Sequence, residues 1–354
     1  MAPELGSHVT RDPPPIHPLQ EVPISAAVAS LAKADLHLHA QADGRLDRVL
    51  AGREGARSHD WLIAAQRLYA KTPPGMSRLN GWHADRCRPE AEVDALDADP
   101  RNFIARVADV LDEAGAAGAI YVEVRFGAGT ILRPDFMLLF HEAERRSQLR
   151  WPQLRAEPLI SGLTPSQPGR WERILPACFG AAKHGLAGID IIPGPYDTEA
   201  DWRGVGDWTA RAADAGLGLT VHAGEFSIAN VAQAISLPGV SRLGHAVFAA
   251  ADPRLLDGIL RAGITIECCL SCNVLLGGVP SYVEHPIRQF VAYGIPVTLN
   301  SDDPLRVCTT IAREYAIAAE LGFSVQDLLG MTRTAVRASF TTDARRRALL
   351  AELD

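Results

Sequence analysis

Two histidines in one short apolar segment are the first candidates for chemistry in this sequence. His37 and His39 alternate with Leu36 and Leu38, a pattern that indicates a β-strand. Residues two apart on a strand project from the same face, so both imidazoles can converge on one metal ion. The alternative is a strand edge that carries two solvated imidazoles. From this segment alone, both interpretations are open.

Further polar side chains follow later apolar segments, namely His222, Glu225, His245, Asp302 and Asp303. Imidazoles together with a carboxylate suit Zn²⁺, which accepts nitrogen and oxygen ligands and leaves a position for water. A catalytic zinc ion lowers the pKa of its bound water to about 7 and so supplies hydroxide at neutral pH. Glu225 could then donate a proton to a substrate above the metal, and His245 could hold or deprotonate the water.

These side chains would meet if the segments that carry them were strands of one barrel. Short apolar segments alternate with helical ones, as in a (β/α)8 TIM barrel, whose active sites lie at the C-terminal ends of the strands. A doubly wound open sheet is the alternative, but it often carries a glycine-rich loop where this chain has His37 and His39. The strands are predicted at 34–39, 119–125, 156–161, 188–192, 217–222, 241–245, 263–268 and 296–300.

The segment between the first two strands lacks strand patterns and is predicted to be a helical insert after strand 1. Since the insert would overhang the active-site end, Trp61 could form a lid over an aromatic ligand, with core packing as the alternative. Proline-rich residues 1–22 are predicted to be a mobile N-terminal tail, and residues 23–354 a single (β/α)8 domain. Helices are predicted at 45–56, 60–70, 99–117, 137–149, 171–183, 202–215, 229–235, 253–261 and 287–292.

The composition excludes several classes of protein. The 354 residues include 35 Lys and Arg against 42 Asp and Glu, and the net charge of −7 disfavours nucleic acid or an anionic membrane as partner. A hydrophobic content of 47% is that of a globular protein and argues against disorder throughout. No segment approaches the roughly 20 apolar residues of a membrane span. With no signal-peptide pattern, a cytoplasmic location is predicted.

Five segments in order along the chain resemble the adenosine deaminase family of the amidohydrolase superfamily. They are DLHLH at 35–39, YVEVRF at 121–126, HAGE at 222–225, RLGH at 242–245 and LNSDDP at 299–304. The resemblance extends from about residue 26 to about residue 345, nearly everything but the tail. It implies a (β/α)8 metal-dependent deaminase that converts an aminopurine or purine nucleoside into the oxo-purine and ammonia.

The resemblance also implies roles for individual residues. One zinc ion per subunit, or another divalent ion, would be held by four side chains: His37, His39, His222 and Asp302. Glu225 would protonate a purine ring nitrogen, and His245 would activate the water, with the ligand Asp302 also part of the catalytic set. Asp303 would bind the ring.

The sequence departs from the family pattern near the expected substrate. The second histidine of the family motif is typically followed by an acidic residue and glycine that serve the ribose, whereas AQADG follows His39. Either Gln41 replaces the acid or an insertion of two residues displaces it to Asp43, and both weaken the case for adenosine itself. Gly194 matches a glycine whose backbone N–H contacts the purine, although prolines flank it here. The resemblance thus implies Gln41 and Gly194 as substrate-binding residues.

Other interpretations are compatible with the same residues. Cys269 and Cys272 form a C-x-x-C, for which a second zinc site or a redox pair is the alternative to buried free thiols. Arg125, at the end of the second strand, is predicted to pair with Asp35 or Glu123. A metal hydrolase acting on a different C–N bond and a non-catalytic barrel used for binding are the alternative functions. The predicted partner is a small purine, and the sequence indicates no oligomeric state.

Overall fold

The computed structural model describes residues 17–40, 44–51 and 60–354, without the side chains of residues 85–94. Eight parallel strands pair in sequential order and form a nearly closed barrel with helices outside, which confirms the predicted fold. The strands are β1 Lys33–His39, β2 Ala119–Gly127, β3 Arg155–Leu163, β4 Gly188–Ile191, β5 Gly218–Ala223, β6 Val240–His245, β7 Thr265–Cys268 and β8 Val297–Leu299. Nearly every strand residue is buried, as expected for strands with side chains on one face and helices on the other.

The helices between strands begin and end within about three residues of the predicted bounds. α4, α11 and the last three helices were not predicted from the sequence. Eight of the ten residues of α13 are buried, so this helix has no polar face from which a helical period could be recognised. The helices are α1 Ala26–Ala29, α2 Leu46–Val49, α3 Trp61–Lys71, α4 Met76–Asp97, α5 Pro100–Ala116, α6 Phe136–Gln148, α7 Pro168–Ala182, α8 Val205–Asp214, α9 Val231–Ser236, α10 Pro253–Ala262, α11 Leu270–Leu276, α12 Ile287–Tyr293, α13 Ile311–Glu320, α14 Val325–Ala338 and α15 Asp343–Ala351.

The first and last strands close the barrel just beyond β8. The backbone N–H of His39 donates to the carbonyl of Asp302 at 2.8 Å, and the N–H of Asp302 donates to the carbonyl of His37 at 2.7 Å. These bonds extend the pairing of β1 past the end of β8. The same bonds therefore bring two predicted metal-binding histidines beside the predicted carboxylate.

The insert after β1 folds over the C-terminal end of the barrel. Its predicted helices at 60–70 and 99–117 are confirmed as α3 and α5, while the helix predicted at 45–56 lies partly outside the described residues. The N–H of Gly75 donates to the carbonyl of Leu276 at 2.8 Å, and the Arg78 guanidinium donates to the carbonyl of Leu275 at 3.0 Å. The insert is thus attached to α11, which follows β7.

The described chain before residue 23 contacts the barrel. The Arg313 guanidinium donates to the carbonyl oxygens of Pro18 at 2.8 Å and Gln20 at 3.0 Å, and Val22 is buried. Residues 17–22, which were predicted to belong to the tail, therefore pack against α13 through the two hydrogen bonds of Arg313. Residues 1–16 lie outside the described residues.

The N-terminal end of the barrel is closed by an aromatic plug. The ring of Phe340, which follows α14, occupies the space where side chains at Gly188 and Gly218 would project. The Arg242 guanidinium lies 3.5 Å from the centroid of that ring and forms an ion pair with Glu123. Within the described ranges, no helix combines the length and apolar character needed to cross a membrane.

Candidate active site

The predicted metal ligands converge at the C-terminal ends of β1, β5 and β8. His37 Nε2 lies 3.0 Å from His222 Nε2 and 3.3 Å from His39 Nε2. Asp302 Oδ1 lies 3.7 Å from His37 Nε2 and 3.5 Å from His39 Nε2. All four side chains are buried. The structure therefore brings together the whole set of ligands that the sequence resemblance implies.

The outer ring nitrogens are held by carboxylates. Nδ1 of His37 donates to Glu267 Oε2, and Nδ1 of His222 donates to Asp190 Oδ1, each at 2.8 Å. With the protons assigned to Nδ1 by these bonds, both Nε2 atoms carry lone pairs that face each other. Two lone pairs at 3.0 Å repel unless a cation lies between them, and carboxylate-oriented histidines are typical of metal sites. The donor set therefore fits a divalent cation.

Arg125 binds both carboxylates that orient these histidines. Its guanidinium donates to Glu267 Oε2 at 2.7 Å and to Asp190 Oδ2 at 3.1 Å, and all three side chains are fully buried. The predicted pairing with Asp35 on β1 or Glu123 on β2 is not the one found, because the carboxylates within ion-pair distance belong to β4 and β7. Asp190 and Glu267 went unassigned in the sequence, although each is a carboxylate inside an apolar strand, and such a residue requires a partner.

Glu225 and His245 face the ligands from the other side. His245 Nε2 lies 3.8 Å from both Glu225 Oε2 and Asp302 Oδ2, too far for a hydrogen bond but close enough to enclose a small space. Burial and the charges of Asp302 and Asp303 raise the pKa of Glu225 well above its usual value, which favours its protonated form. Burial also raises the pKa of Asp302 to about 7, a shift that a bound cation would reverse.

The backbone is strained where two of these side chains leave it. His245, Ala246 and Asp302 have positive φ angles of 66°, 53° and 65°, in the left-handed region that residues with a Cβ rarely adopt. Such a conformation costs on the order of 1–3 kcal/mol and persists only where the surrounding structure imposes it. Strain of this kind is concentrated at functional sites, in agreement with the placement of His245 and Asp302.

Two further polar residues lie behind His245. Asn273 Nδ2 is 3.0 Å from His245 Nδ1, and Asn273 Oδ1 is 3.2 Å from His285 Nε2. Asn273 is fully buried and His285 is 2% exposed. Neither residue was assigned a role from the sequence. An amide directly before the apolar Val274, Leu275 and Leu276 was the signal that could have identified Asn273.

The predicted substrate-binding residues are only partly assembled. Asp303 is buried beside Asp302, close enough for its charge to raise the pKa of Glu225. Gly194 lies three residues beyond β4, and its carbonyl accepts a hydrogen bond from Ser166. A cavity opens beside His39, and among the described residues its lining includes Ile192 but not Gly194. Gln41 lies outside the described residues.

The cysteines near the site are free thiols. Cys269 Sγ belongs to a cluster with ligand atoms of His37, His245 and Asp302, all within 4.8 Å of one another. Among the described residues Cys272 is not part of that cluster, so the C-x-x-C does not form a metal site by itself. Burial raises the pKa of both thiols well above the usual value, which keeps them neutral.

The insert contributes aromatic side chains above this region. The Arg306 guanidinium, three residues after Asp303, lies 4.5 Å from the centroid of the Trp61 ring and 5.5 Å from that of Trp82. Trp82 belongs to an apolar cluster with Phe226, the residue after Glu225. The insert therefore covers the active-site end of the barrel, as predicted, and connects the loops after β5 and β8.

A (β/α)8 barrel with a histidine and carboxylate centre at its C-terminal end defines the class of metal-dependent barrel hydrolases. The family model described as adenosine deaminase matches residues 178–354. An adenine deaminase from Rhizobium leguminosarum bv. trifolii is 45% identical over 341 residues, which are 91% of this chain and 99% of that protein. The chain therefore belongs to the adenosine deaminase family.

Solved structures share the fold. An amidohydrolase from Burkholderia ambifaria with bound zinc superposes with a TM-score of 0.74 at 22% identity and covers 94% of this chain and 93% of its own. The adenine deaminase of Arthrobacter aurescens superposes with a TM-score of 0.71 at 21% identity and covers 91% and 97%. The resemblance to the adenosine deaminase family is thus confirmed, and the chain is a hydrolytic deaminase that acts on a purine.

Proposed function

We propose that this protein converts adenine and water into hypoxanthine and ammonia. The observation that carries the proposal is the convergence of three imidazole nitrogens and one carboxylate opposite Glu225 and His245. Adenine is favoured because the relative that is 45% identical over nearly the full length is an adenine deaminase. The sequence after His39 adds support, since it lacks the adjacent acidic residue that serves the ribose in the family pattern.

One zinc ion would be held by His37, His39, His222 and Asp302. Three neutral imidazoles and a carboxylate suit zinc better than magnesium or calcium, which prefer oxygen ligands. When bound, the ion lowers the pKa of water, so that a nucleophile is available at neutral pH. The carboxylates of Glu267 and Asp190 contribute by fixing the ring orientations of His37 and His222.

Glu225 acts as the general acid. Its carboxyl group is buried, faces the space beside Asp302 and favours the protonated form. In that form it can donate a proton to a purine ring nitrogen, which makes the amino-bearing carbon more electrophilic. His245 and Asp302 border the same space from two other sides, so they can orient the oxygen that adds to this carbon.

The substrate is held by the loop after β8 and by the insert. Asp303 would accept a hydrogen bond from a ring N–H of the purine, because its buried carboxylate lies beside Asp302 and Glu225. Trp61 and Trp82 would exclude water above the ring. Gln41 and Gly194 stay predicted as substrate-binding residues.

The test is a comparison of substrates with the zinc-loaded protein. Adenine, adenosine and AMP are each incubated with the enzyme, and deamination is followed by absorbance and by ammonia release. We expect kcat/KM for adenine to exceed that for the other two by about 100-fold or more, because ribose must fit under the insert. Faster turnover of adenosine or AMP would overturn the choice of adenine. No ammonia from any purine would overturn the reaction itself.

A further inference from the structure

Three buried side chains form a hydrogen-bonded series that leads away from the active site. It runs from His245 through Asn273 to His285 and ends at the backbone of α12. The N–H of Ile287 can only donate, and it lies 3.2 Å from Nδ1 of His285. Because Nδ1 of His285 accepts this bond, the proton of the neutral ring is on Nε2.

The bond from Ile287 to His285 determines the direction of the other two hydrogen bonds in the series. His285 Nε2–H donates to Asn273 Oδ1 at 3.2 Å, so the amide nitrogen of Asn273 faces His245. That amide donates to Nδ1 of His245 at 3.0 Å. The opposite amide orientation would place two N–H donors against each other at His285, without an acceptor. His245 Nδ1 is therefore unprotonated, and the proton of this ring is on Nε2.

We propose that Asn273 and His285 are positioning residues that hold His245 in the tautomer with its proton on Nε2, a role that rests on the proposed function. Nε2 faces the space between Glu225 and Asp302, where the reacting oxygen is placed in that function. In this tautomer His245 donates a hydrogen bond to the oxygen and cannot take a proton from it at Nε2. Of the two roles that the sequence allows for His245, holding the water and deprotonating it, the proposal therefore selects the first.

The composition of α11 supports a functional role for this series. The residues that follow, Val274, Leu275 and Leu276, are apolar and buried, so the surroundings of position 273 on this side offer no reason for an amide there. A buried amide is costly unless its groups are bonded, and here both ends of the Asn273 amide have partners. Asn273 thus places an amide, not an apolar side chain, at a buried position, and this amide defines which nitrogen of His245 is protonated.

Substitutions of His285, which contacts Asn273 and reaches His245 only through it, test the proposal. In H285Q the side-chain amide can still accept from Ile287 and donate to Asn273, whereas H285M has similar length and no N–H donor. With H285M we expect kcat to fall about 10- to 100-fold and KM to change less than about threefold, because only the interaction at the reacting oxygen is weakened. H285Q should restore kcat to within about threefold of the unaltered enzyme.

A spectroscopic measurement on the same zinc-loaded proteins is independent of turnover. Protein labelled with ¹⁵N-histidine is examined by two-bond ¹H–¹⁵N correlation, with the His245 signals assigned from H245Q. We expect Nε2 to be protonated in the unaltered protein and in H285Q, and a mixture of tautomers in H285M. H141Q, a substitution in a partly exposed surface histidine, serves as the control for labelling and folding.

Several results would overturn the proposal. These are a proton on Nδ1 of His245 in the unaltered protein, a fall in kcat for H285M with an unchanged tautomer, or equal loss in H285M and H285Q. N273L provides a second test, since it removes the donor to His245 and should change the tautomer in the same direction as H285M. If no purine is deaminated but the Nε2 tautomer is found and lost in H285M, the proposed function fails and the positioning of His245 stands.

Discussion

The two ends of the barrel both bury charged side chains, but they differ in how donors and acceptors are matched. At the N-terminal end, Glu123 Oε1 accepts from the Tyr121 hydroxyl at 2.9 Å and from the N–H of Phe340 at 2.6 Å, and Glu123 Oε2 pairs with Arg242. At the C-terminal end, the Nε2 atoms of His37 and His222 face each other at 3.0 Å, and each is an acceptor.

The difference distinguishes a structural network from a functional one, which Arg242 joins by pairing with Glu267 at 2.8 Å as well as with Glu123. The network around Glu123 is complete within the chain, because each of its acceptors has a donor nearby. The imidazoles of His37 and His222 are matched on their outer side by Glu267 and Asp190, whereas the acceptors on their inner side face each other, an arrangement that suits a cation. Polar side chains are buried at both ends, and the matching of hydrogen-bond donors with acceptors distinguishes the two networks.

Removal of a metal ligand at the C-terminal end should have the largest effect on activity. We expect H222N to lose the bound zinc and to reduce kcat/KM by about 10⁴-fold or more, because metal-ion catalysis supplies several kcal/mol of the barrier reduction. Zinc content by elemental analysis and ammonia release are the measurements. H141N, a change at the surface, should retain both. Full zinc content and activity in H222N would show that the ligand set is wrongly assigned.

Glu225 should matter for turnover without affecting the metal. We expect E225Q to lower kcat by about 10²- to 10⁴-fold while zinc content is unchanged, since the amide keeps its size and has no acidic proton. The matched control is E284Q, which alters an exposed glutamate that pairs with Ser281. Activity near the unaltered level in E225Q would require another general acid.

At the N-terminal end of the barrel, a substitution of Glu123 should lower stability and leave the catalytic rate unchanged. E123Q leaves the fully buried guanidinium of Arg242 without one of its charged partners, and breaking a buried ion pair costs about 3–5 kcal/mol. We expect the melting temperature to fall by roughly 6 °C or more, with kcat and zinc content within about twofold. E142Q, which breaks the exposed pair with Arg145, should change the melting temperature by less than about 2 °C. A loss of zinc in E123Q would contradict the expectation that the two ends act independently and would show that they are coupled through the Arg242–Glu267 pair.

The smallest effect is expected for a substitution of Trp61 in the insert after β1. We expect W61A to raise KM for adenine by about tenfold with little change in kcat, because its indole shields the loop after β8 through Arg306. Steady-state kinetics and thermal melting are measured together. I63A, a change two residues away at a side chain that is 51% exposed, is the control. A lower melting temperature with unchanged kinetics would assign Trp61 to packing alone.

The barrel and the ligand set could be predicted because each depends on local patterns. Apolar segments at regular intervals define the strands, and a polar residue at a strand end is visible without knowledge of its neighbours. Arg125 illustrates the limit, since its partners Asp190 and Glu267 lie on β4 and β7, across the barrel from β2. The choice among several buried carboxylates depends on side-chain direction in three dimensions.

Asn273 and His285 illustrate a second limit. Their role follows from the order of donors and acceptors, which begins at the N–H of Ile287 and cannot be read from residue types. The contacts of residues 17–22 were hidden for a related reason. Residues 17–22 lack a periodic pattern, yet their carbonyl oxygens are bound by Arg313, almost 300 residues later.

The hydrogen bonds between β1 and the residue after β8 have a consequence for how the protein is made. They join His37 and His39, near the start of the described chain, to Asp302, near its end. During synthesis the complete ligand set exists only after the last strand has left the ribosome and closed the barrel. If the proposed zinc ion binds there, its capture is a late event in biogenesis, and the zinc content of a preparation then reports the fraction of molecules whose barrels have closed.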